Sequence, residues 1–317
     1  MSGEGEPIIL LAPGLGGLRR LLEGLGEVVD LPSADIPAFA AGAGQGTRVL
    51  VTTGSRPVEP EIAALPRLGL VAVIGSGFEE IDVKGLRSRG VEVTHSPHAN
   101  HEDVADQAVG LMIAAVRKLM VGDRTVRDGA WVKDRHAPPT RSIRTLKVGI
   151  TGLGAIGLSV AERLQPFGCQ IVWWGPRPKP DVAFPREENL LKLAQDCDVL
   201  ILAHRADDSN RGLISKAVIE ALGPRGVLVN IARGSAVDED ALIEALRSGK
   251  LGGAALDVFE QEPTPADRWR DVPNVVLTPH TAGGGDASLA AMVGMVVANT
   301  RAFLAGEPVP NPVPAQP

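Results

Sequence analysis

Several classes of protein are disfavoured by what this sequence lacks. Only two cysteines occur, Cys169 and Cys197, and neither has the CxxC or CxxH spacing of a disulfide framework or a zinc site. The acidic N-terminus has no signal-peptide core, and no uninterrupted apolar run approaches the roughly 18 residues of a membrane span. The sequence also has no excess of basic residues to attract nucleic acid or an anionic membrane, since its net charge is −6. We therefore expect a cytoplasmic protein without a metal, a nucleic-acid partner or a membrane.

The chain does contain two successive arrays of alternating strand and helix patterns. Its 317 residues, of which 44% are hydrophobic, suit two domains at roughly 150 residues each. In the first array, short apolar runs alternate with helix-like stretches, which favours βα units around a parallel sheet. The predicted strands are Ile8–Leu11, Val28–Leu31, Val49–Thr52, Leu70–Ile74 and Val91–Thr94.

The second array begins at Lys147, after a long apolar-periodic helix predicted at Val104–Met120. Further helices are predicted between most of its strands, and a last buried helix at Ser288–Leu304. The fold class is therefore α/β, with two doubly wound parallel-sheet domains of the Rossmann or flavodoxin type and a cleft between them. The predicted strands of the second array are Val148–Thr151, Gln170–Trp174, Val199–Ala203, Val227–Ile231, Gly253–Leu256 and Val275–Thr278.

A glycine-rich turn, G-L-G-A-I-G, follows the first strand of the second array and opens a helix pattern. That context favours a dinucleotide site over a plain glycine-rich turn. Gly152 permits the tight turn, Gly154 lets the backbone approach a pyrophosphate, and Gly157 lets helix and strand pack closely. The helix N-terminus would supply N–H groups to the phosphates.

The end of the next strand bears on the choice of cofactor. An NAD site usually carries an acidic residue there for the ribose hydroxyls, but this strand ends at Gly175. Arg177 and Lys179 follow and could accept the 2′-phosphate of NADP, although both could instead be solvated loop charges. The sequence thus favours NADP over NAD.

Three charged residues stand just after later strands: Arg233 in N-I-A-R-G-S, Glu262 in F-E-Q-E-P and His280 in T-P-H-T. Residues past the strands of a parallel sheet gather along one edge, where ligands bind. A guanidinium can grip a carboxylate and polarise a carbonyl, and an imidazole can protonate the developing alkoxide. A carboxylate can orient that imidazole and keep it charged. The set predicts hydride transfer to a 2-oxo acid, with these three residues catalytic.

These motifs together resemble the D-2-hydroxyacid dehydrogenase family, and most of all its glyoxylate/hydroxypyruvate reductase branch. The resemblance covers nearly the whole chain and implies an NAD(P)-dependent reductase of small 2-oxo acids. It implies a discontinuous substrate-binding domain at residues 1–99 and 285–317 and a dinucleotide-binding domain at residues 100–284. It also implies a homodimer formed through the nucleotide domain and the long helix after residue 100.

The resemblance assigns further site residues. A backbone turn at Gly75-Ser76-Gly77 would grip the substrate carboxylate, so Ser76 and Gly77 join Arg233 and His280 as substrate-binding residues. Asp257 would face the nicotinamide amide, or else cap a turn. The predicted cofactor-binding residues are Gly152, Leu153, Gly154, Ala155, Ile156, Gly157, Gly175, Arg177, His204, Ile231, Ala232, Asp257, Ala282 and Gly283.

Some positions depart from the family pattern, and alternatives stay open. Pro176 stands where many NADPH-dependent members place an arginine, which weakens the prediction of NADP. Asn100 and His101 are more polar than usual for the pocket, which would suit a more hydroxylated or charged substrate. A dinucleotide-sensing corepressor on the same scaffold is the main alternative function. Formate enzymes of the superfamily pair the histidine with glutamine, so Glu262 argues against that branch.

Overall fold

The computed structural model describes residues 6–134 and 139–314. The chain folds into two compact units, Met1–Asn100 with Gly285–Pro317 and His101–Gly284. Each unit is built around a sheet in which every strand pair is parallel. The predicted fold class of two parallel-sheet α/β domains is thus confirmed. Asn100, which the sequence assigned to the dinucleotide-binding domain, groups with the first unit.

The first unit has a five-stranded sheet in the order β2-β1-β3-β4-β5, so the connection changes direction after β2. The apolar residues of its three central strands are buried on both faces, as in parallel strands covered by helices. Its strands are β1 (Ile8–Leu11), β2 (Glu27–Asp30), β3 (Thr47–Thr53), β4 (Leu70–Ile74) and β5 (Glu92–Thr94). Its first helices are α1 (Arg19–Leu22), α2 (Ile36–Ala41), α3 (Pro60–Ala63) and α4 (Val83–Ser88).

The second unit has a six-stranded sheet in the order β11-β10-β9-β8-β6-β7. After β7 at one edge the chain crosses back, and β8 pairs with the other side of β6. The switch point of this sheet therefore lies between the carboxyl ends of β6 and β8, where α/β folds bind ligands. Its strands are β6 (Lys147–Thr151), β7 (Gln170–Trp174), β8 (Val199–Leu202), β9 (Val227–Asn230), β10 (Gly253–Leu256) and β11 (Val275–Leu277). Its helices are α5 (His101–Val116), α6 (Leu119–Arg127), α7 (Ala130–Asp134), α8 (Ala155–Leu164), α9 (Leu190–Asp196), α10 (Lys216–Ala221), α11 (Glu239–Arg247) and α12 (Ala266–Trp269).

A final helix, α13 (Asp286–Leu304), returns the chain to the first unit. By length and composition alone it could cross a membrane. It packs on β4, however, and buries Val296 in the apolar core of the first unit. The side chain of Asn299 accepts a bond from the Asn311 N–H, which ties the following segment to the helix.

One predicted helix differs clearly from the structure. The apolar pattern at Val104–Met120 predicts a single helix, but α5 begins at His101 and ends at Val116. Lys118 adopts a left-handed conformation with φ of 52°, and α6 begins directly after it. The apolar residues beyond the break, Leu119 and Met120, are exposed rather than buried in a core, so the apolar pattern alone did not mark the end of α5.

Candidate active site

The predicted nucleotide-site residues all follow carboxyl ends of strands in the second unit. Because the sheet is parallel, these ends share one edge. The glycine turn follows β6, His204 follows β8, and Arg233 follows β9. Residues after the other strands are Gly175 and Arg177 beyond β7, Asp257 beyond β10, and Ala282 and Gly283 beyond β11.

The glycines of the turn have distinct surroundings. Gly152 has a φ of +81°, and a Cβ there would lie 2.5 Å from the Cα of His204. A Cβ on Gly157 would overlap the carbonyl of Gly152, so the start of α8 packs directly on the turn. A Cβ on Gly154 would meet nothing within 4 Å in the described part of the chain. Gly154 therefore leaves open space beside the N-terminus of a ten-residue helix, whose N–H groups suit a phosphate.

Two cations are fixed beside this turn. The Lys179 ammonium donates to the carbonyl of Leu153, inside the glycine turn, at 2.6 Å. The Arg186 guanidinium donates to the carbonyl of Gly175 at 2.9 Å and lies over the Trp173 ring. The loop after β7 is thereby held to β7 itself and to the turn after β6.

His204 lies between β8 and the glycine turn. Its Nδ1 and the hydroxyl of Thr151 are 2.7 Å apart, and Nε2 is buried with no hydrogen-bond partner among the residues that the structure describes. Burial lowers the pKa of His204 to about 4, against the opposing effect of the Asp207 charge. The imidazole is therefore neutral at ordinary pH.

Arg233 lies on a turn that an asparagine side chain holds. The Asn230 amide accepts from the Ala232 N–H and donates to the Arg233 carbonyl, both at 3.0 Å. Asn230 is 1% exposed, so both bonds are shielded from water. The Arg233 guanidinium donates to the carbonyl of Ala232 at 2.7 Å and is partly buried. The turn after β9 thus fixes the backbone position from which the Arg233 side chain extends.

Glu262 and His280 form a direct pair. The His280 Nδ1 lies 2.6 Å from Glu262 Oε2, and the Phe259 N–H donates to Glu262 Oε1 at 2.9 Å. Burial would raise the pKa of the Glu262 carboxyl, but these bonds and the charges of His280 and Arg233 lower it. Since an ionised carboxylate can only accept, Nδ1 carries the proton and donates. The pair fixes the imidazole tautomer and leaves Nε2 as the nitrogen that can exchange a proton with a substrate.

Asp257 holds the loop that carries His280. It is 1% exposed, and its carboxylate accepts from the N–H groups of Thr281 and Ala282 at 3.0 and 2.9 Å. The Thr278 hydroxyl donates to it at 2.5 Å. His280 has a φ of 52° and donates its N–H to the Asp257 carbonyl. Asp257 therefore caps this loop, and the predicted contact with a nicotinamide stays a prediction.

The predicted carboxylate-gripping turn lies in the first unit, after β4. Gly75 has a φ of +121°, and the Ser76 hydroxyl donates to the Asn100 amide oxygen at 2.8 Å. The ring Nδ1 of His95 lies 3.0 Å from the Ser76 carbonyl. Ser76, a predicted substrate-binding residue, thus contacts Asn100. The part that Ser76 and Gly77 play in substrate binding stays a prediction.

Sequence reasoning missed Asn230, whereas capping was one of the roles that it left open for Asp257. An asparagine two residues before a turn N–H is a signature of side-chain-to-backbone bonding, so Asn230 had a signal. Within residues 6–134 and 139–314, no group of three or more His, Cys, Asp or Glu side chains could hold a metal ion.

Known proteins resemble this chain in sequence and in fold. Residues 109–282, more than half of the chain, match the family described as D-isomer specific 2-hydroxyacid dehydrogenase, NAD binding domain. Glyoxylate/hydroxypyruvate reductase A of Arabidopsis thaliana is 41% identical over 252 residues, 80% of each chain. The structure of a 2-hydroxyacid dehydrogenase from Ketogulonicigenium vulgare has a TM-score of 0.90 at 38% identity and covers 98% of both chains. An NADPH-dependent glyoxylate/hydroxypyruvate reductase of Sinorhizobium meliloti, in complex with NADP and malonate, has a TM-score of 0.89 at 35% identity, covering 97% of this chain and 96% of that one.

The fold and the sheet edge define a dinucleotide-dependent oxidoreductase. The chain belongs to the D-isomer specific 2-hydroxyacid dehydrogenase family. The predicted family and the prediction of an NAD(P)-dependent enzyme are both confirmed. The match favours an enzyme over a dinucleotide-sensing corepressor.

Proposed function

We propose that this protein reduces small 2-oxo acids of the glyoxylate or hydroxypyruvate type to D-2-hydroxy acids, using NADPH or NADH. The observation that carries the proposal is the bond between His280 Nδ1 and Glu262 Oε2, with Arg233 near enough for its charge to lower the pKa of Glu262. A proton donor, its carboxylate and a guanidinium are the groups that carbonyl reduction beside a carboxylate needs.

Each of the three residues has its own task. The Arg233 guanidinium binds the substrate carboxylate through its planar fork and polarises the neighbouring carbonyl. His280 donates the Nε2 proton to the oxygen as negative charge develops there. Glu262 accepts from Nδ1 throughout, so it stabilises the charged imidazole before the transfer and the correct tautomer afterwards. In oxidation the neutral imidazole takes the same proton back.

The edge between β6 and β8 suits the cofactor. Gly154 leaves open space, and the α8 N-terminus offers N–H groups to a pyrophosphate. Bound there, the dinucleotide would supply the hydride. The turn residues 152–157 would hold its phosphates, and the residues after β9 to β11 would border its nicotinamide half.

We favour NADPH over NADH, with NADH as the alternative. No carboxylate ends β7, and the Lys179 ammonium is fixed to Leu153, within the turn that would hold the phosphates. A cation at this place would meet the 2′-phosphate of NADPH, whereas NADH offers only hydroxyls. The solved relative from Sinorhizobium meliloti binds NADP. Lys179 and Arg177, the two candidates that the sequence offers, thus both stay candidates for this contact.

A homodimer is also proposed. The helices α6 and α7 expose a set of large apolar side chains, which on a surface marks a protein interface. These residues are Leu119, Met120, Val121, Val126, Trp131 and Val132, from 42% to 81% exposed. Sedimentation of the purified protein at several concentrations would test it, and a monomer throughout would contradict it.

The function is tested by following NADPH and NADH oxidation with glyoxylate, hydroxypyruvate, pyruvate and 2-ketogluconate. The proposal expects turnover with at least one of these acids and fails if none is reduced. The residue test is Arg233→Ala, which should abolish turnover while NADPH still binds, because the guanidinium contacts the substrate rather than the cofactor.

Arg247→Ala is the matched control for Arg233→Ala. Arg247 is exposed in the last turn of α11, in the same unit, so its removal should leave turnover unchanged. Unchanged turnover in Arg233→Ala would contradict the assignment of Arg233 even if the wild-type protein is active.

A further inference from the structure

One buried carboxylate of the second unit has no task in the chemistry described so far. Glu239, the first residue of α11, is only 4% exposed. Burying a charged carboxylate costs free energy unless it is paired and hydrogen-bonded. Capping does not account for it, because the Asp238 side chain already caps α11 by accepting from the Ala241 N–H.

Both oxygens of Glu239 have partners. Oε1 accepts from Arg268 Nε at 3.2 Å, and Oε2 accepts from the backbone N–H of Glu260 at 3.2 Å. The Arg268 guanidinium also donates to Asp240, whose side chain is 85% exposed, at 2.9 Å. The exposed ion pair with Asp240 keeps Arg268 in place. The buried carboxylate of Glu239 connects α11 to the peptide between Phe259 and Glu260.

The neighbouring peptide contacts the catalytic pair. The N–H of Phe259, which belongs to the Val258–Phe259 peptide, donates to Glu262, and Glu262 accepts from His280. On the other side, a Cβ on Gly234 would overlap the same peptide, so the residue after Arg233 packs against it without a side chain between. The Phe259–Glu260 peptide therefore lies between the turn that carries Arg233 and the loop that carries Glu262.

We propose that Glu239 is a positioning residue, which holds the Phe259–Glu260 peptide where Glu262 can reach His280. The inference rests on the proposed function for its effect on turnover, but the contact itself does not. A charge-assisted bond to a backbone N–H is stronger than a neutral one, which explains a carboxylate at this place. Without it, the Glu260 N–H and the Nε–H of Arg268 lose their acceptor, and the loop can relax.

The first experiment compares Glu239→Ala with Glu244→Ala. Glu244 lies on the same helix and forms an exposed ion pair with Lys216. Glu244→Ala therefore also removes one paired carboxylate from α11, but at the surface. Glu239→Ala should lower kcat roughly tenfold, as loss of an outer support of a catalytic group does, while NADPH affinity stays unchanged. Glu244→Ala should leave both unchanged. An unchanged kcat in folded Glu239→Ala would overturn the proposal.

A double-mutant cycle separates positioning from mere structural support. If Glu239 acts through Glu262, then adding Glu239→Ala to Glu262→Gln should change kcat by no more than about twofold. If the two losses multiply in full, Glu239 acts by another route and the proposal fails. Should Glu239→Ala not fold, Glu239→Gln replaces it: its neutral amide oxygen accepts more weakly from the Glu260 N–H, so kcat should still fall, by less than tenfold, and an unchanged kcat would overturn the proposal.

A measurement without turnover distinguishes failure of this inference from failure of the proposed function. With ¹⁵N-labelled histidine, the Nδ1 resonance of His280 reports its bond to Glu262. It should shift in Glu239→Ala towards its position in Glu262→Gln, and stay unchanged in Glu244→Ala. An unshifted resonance in Glu239→Ala contradicts the positioning role, whether or not the wild-type protein reduces any of the four acids.

Discussion

The two halves of the sheet edge in the second unit are built by opposite means. Beyond β6 and β8, the backbone is shaped by missing side chains: Gly152 in a left-handed turn, Gly157 against its carbonyl, and open space at Gly154. Beyond β9 and β10, it is shaped by buried polar side chains, Asn230 and Asp257, that bind backbone groups. The first design leaves room for a large ligand, and the second fixes a few charged side chains.

The largest effect should come from the catalytic half. His280→Asn keeps a residue that tolerates the φ of 52°, so the loop should remain folded. Removing the general acid should lower kcat by roughly 10³-fold, since such groups contribute 10² to 10⁴. Steady-state kinetics with the best substrate measure this loss. A parallel fluorescence titration should show unchanged NADPH affinity, and weakened binding would mean that the two halves are not separable.

The cofactor half should respond in affinity instead. Gly154→Val places its side chain in the open space beside the α8 N-terminus, where a Cβ would meet no atom within 4 Å in the described part of the chain. Loss of one or two charge-assisted phosphate bonds should weaken NADPH binding about 100-fold. Gly24→Ala, another glycine with nothing near its missing Cβ, is the control and should bind normally. Calorimetric titration checks both, and tight binding by Gly154→Val would argue against a pyrophosphate at this turn.

Glu262→Gln should alter the pH profile as well as the rate. The pKa of Glu262 is lowered, so its carboxylate persists, and holds Nδ1, to a pH below the ordinary glutamate range. Without that charge the imidazolium loses a stabilising partner, so the rate near neutral pH should be about tenfold lower. The acid fall in kcat/KM that follows protonation of Glu262 in the wild type should be absent from the variant. The same acid limb in both proteins would contradict the assignment of that limb to Glu262.

The smallest effect is expected for Lys179→Met. An exposed ion pair contributes about 1 kcal/mol or less, so the Kd for NADPH should rise about fivefold. The Kd for NADH should barely change, because it has no 2′-phosphate. Arg177→Met, measured beside it, shows which of the two cations carries the preference. Equal effects on both cofactors would mean that Lys179 only supports the turn through Leu153.

The glycine half was the more predictable of the two from sequence. Spacing alone assigned a role to each of Gly152, Gly154 and Gly157, because the turn is a local structure set by neighbours in the chain. The strands were also predicted well: Ile8–Leu11, Leu70–Ile74 and Gln170–Trp174 have the predicted bounds. Buried parallel strands can be recognised in a sequence as short apolar runs between turns.

The supports of the catalytic half were not predictable in this way. Glu239 binds the N–H of Glu260, 21 residues further along the chain, and Asp257 binds N–H groups 24 and 25 residues away. No local pattern records such distant partners. In the sequence Glu239 looks like an ordinary acidic residue in the first turn of a helix, where a favourable dipole already explains it.

The return of the chain through α13 sets an order of events during synthesis. The second unit, His101–Gly284, is contiguous, so all of it can leave the ribosome and fold as one piece. The first unit cannot finish by then, because β4 lacks the helix that packs on it and Val93 lacks the N–H of Val313. We expect the part of the protein that is made first to be the part that finishes folding last.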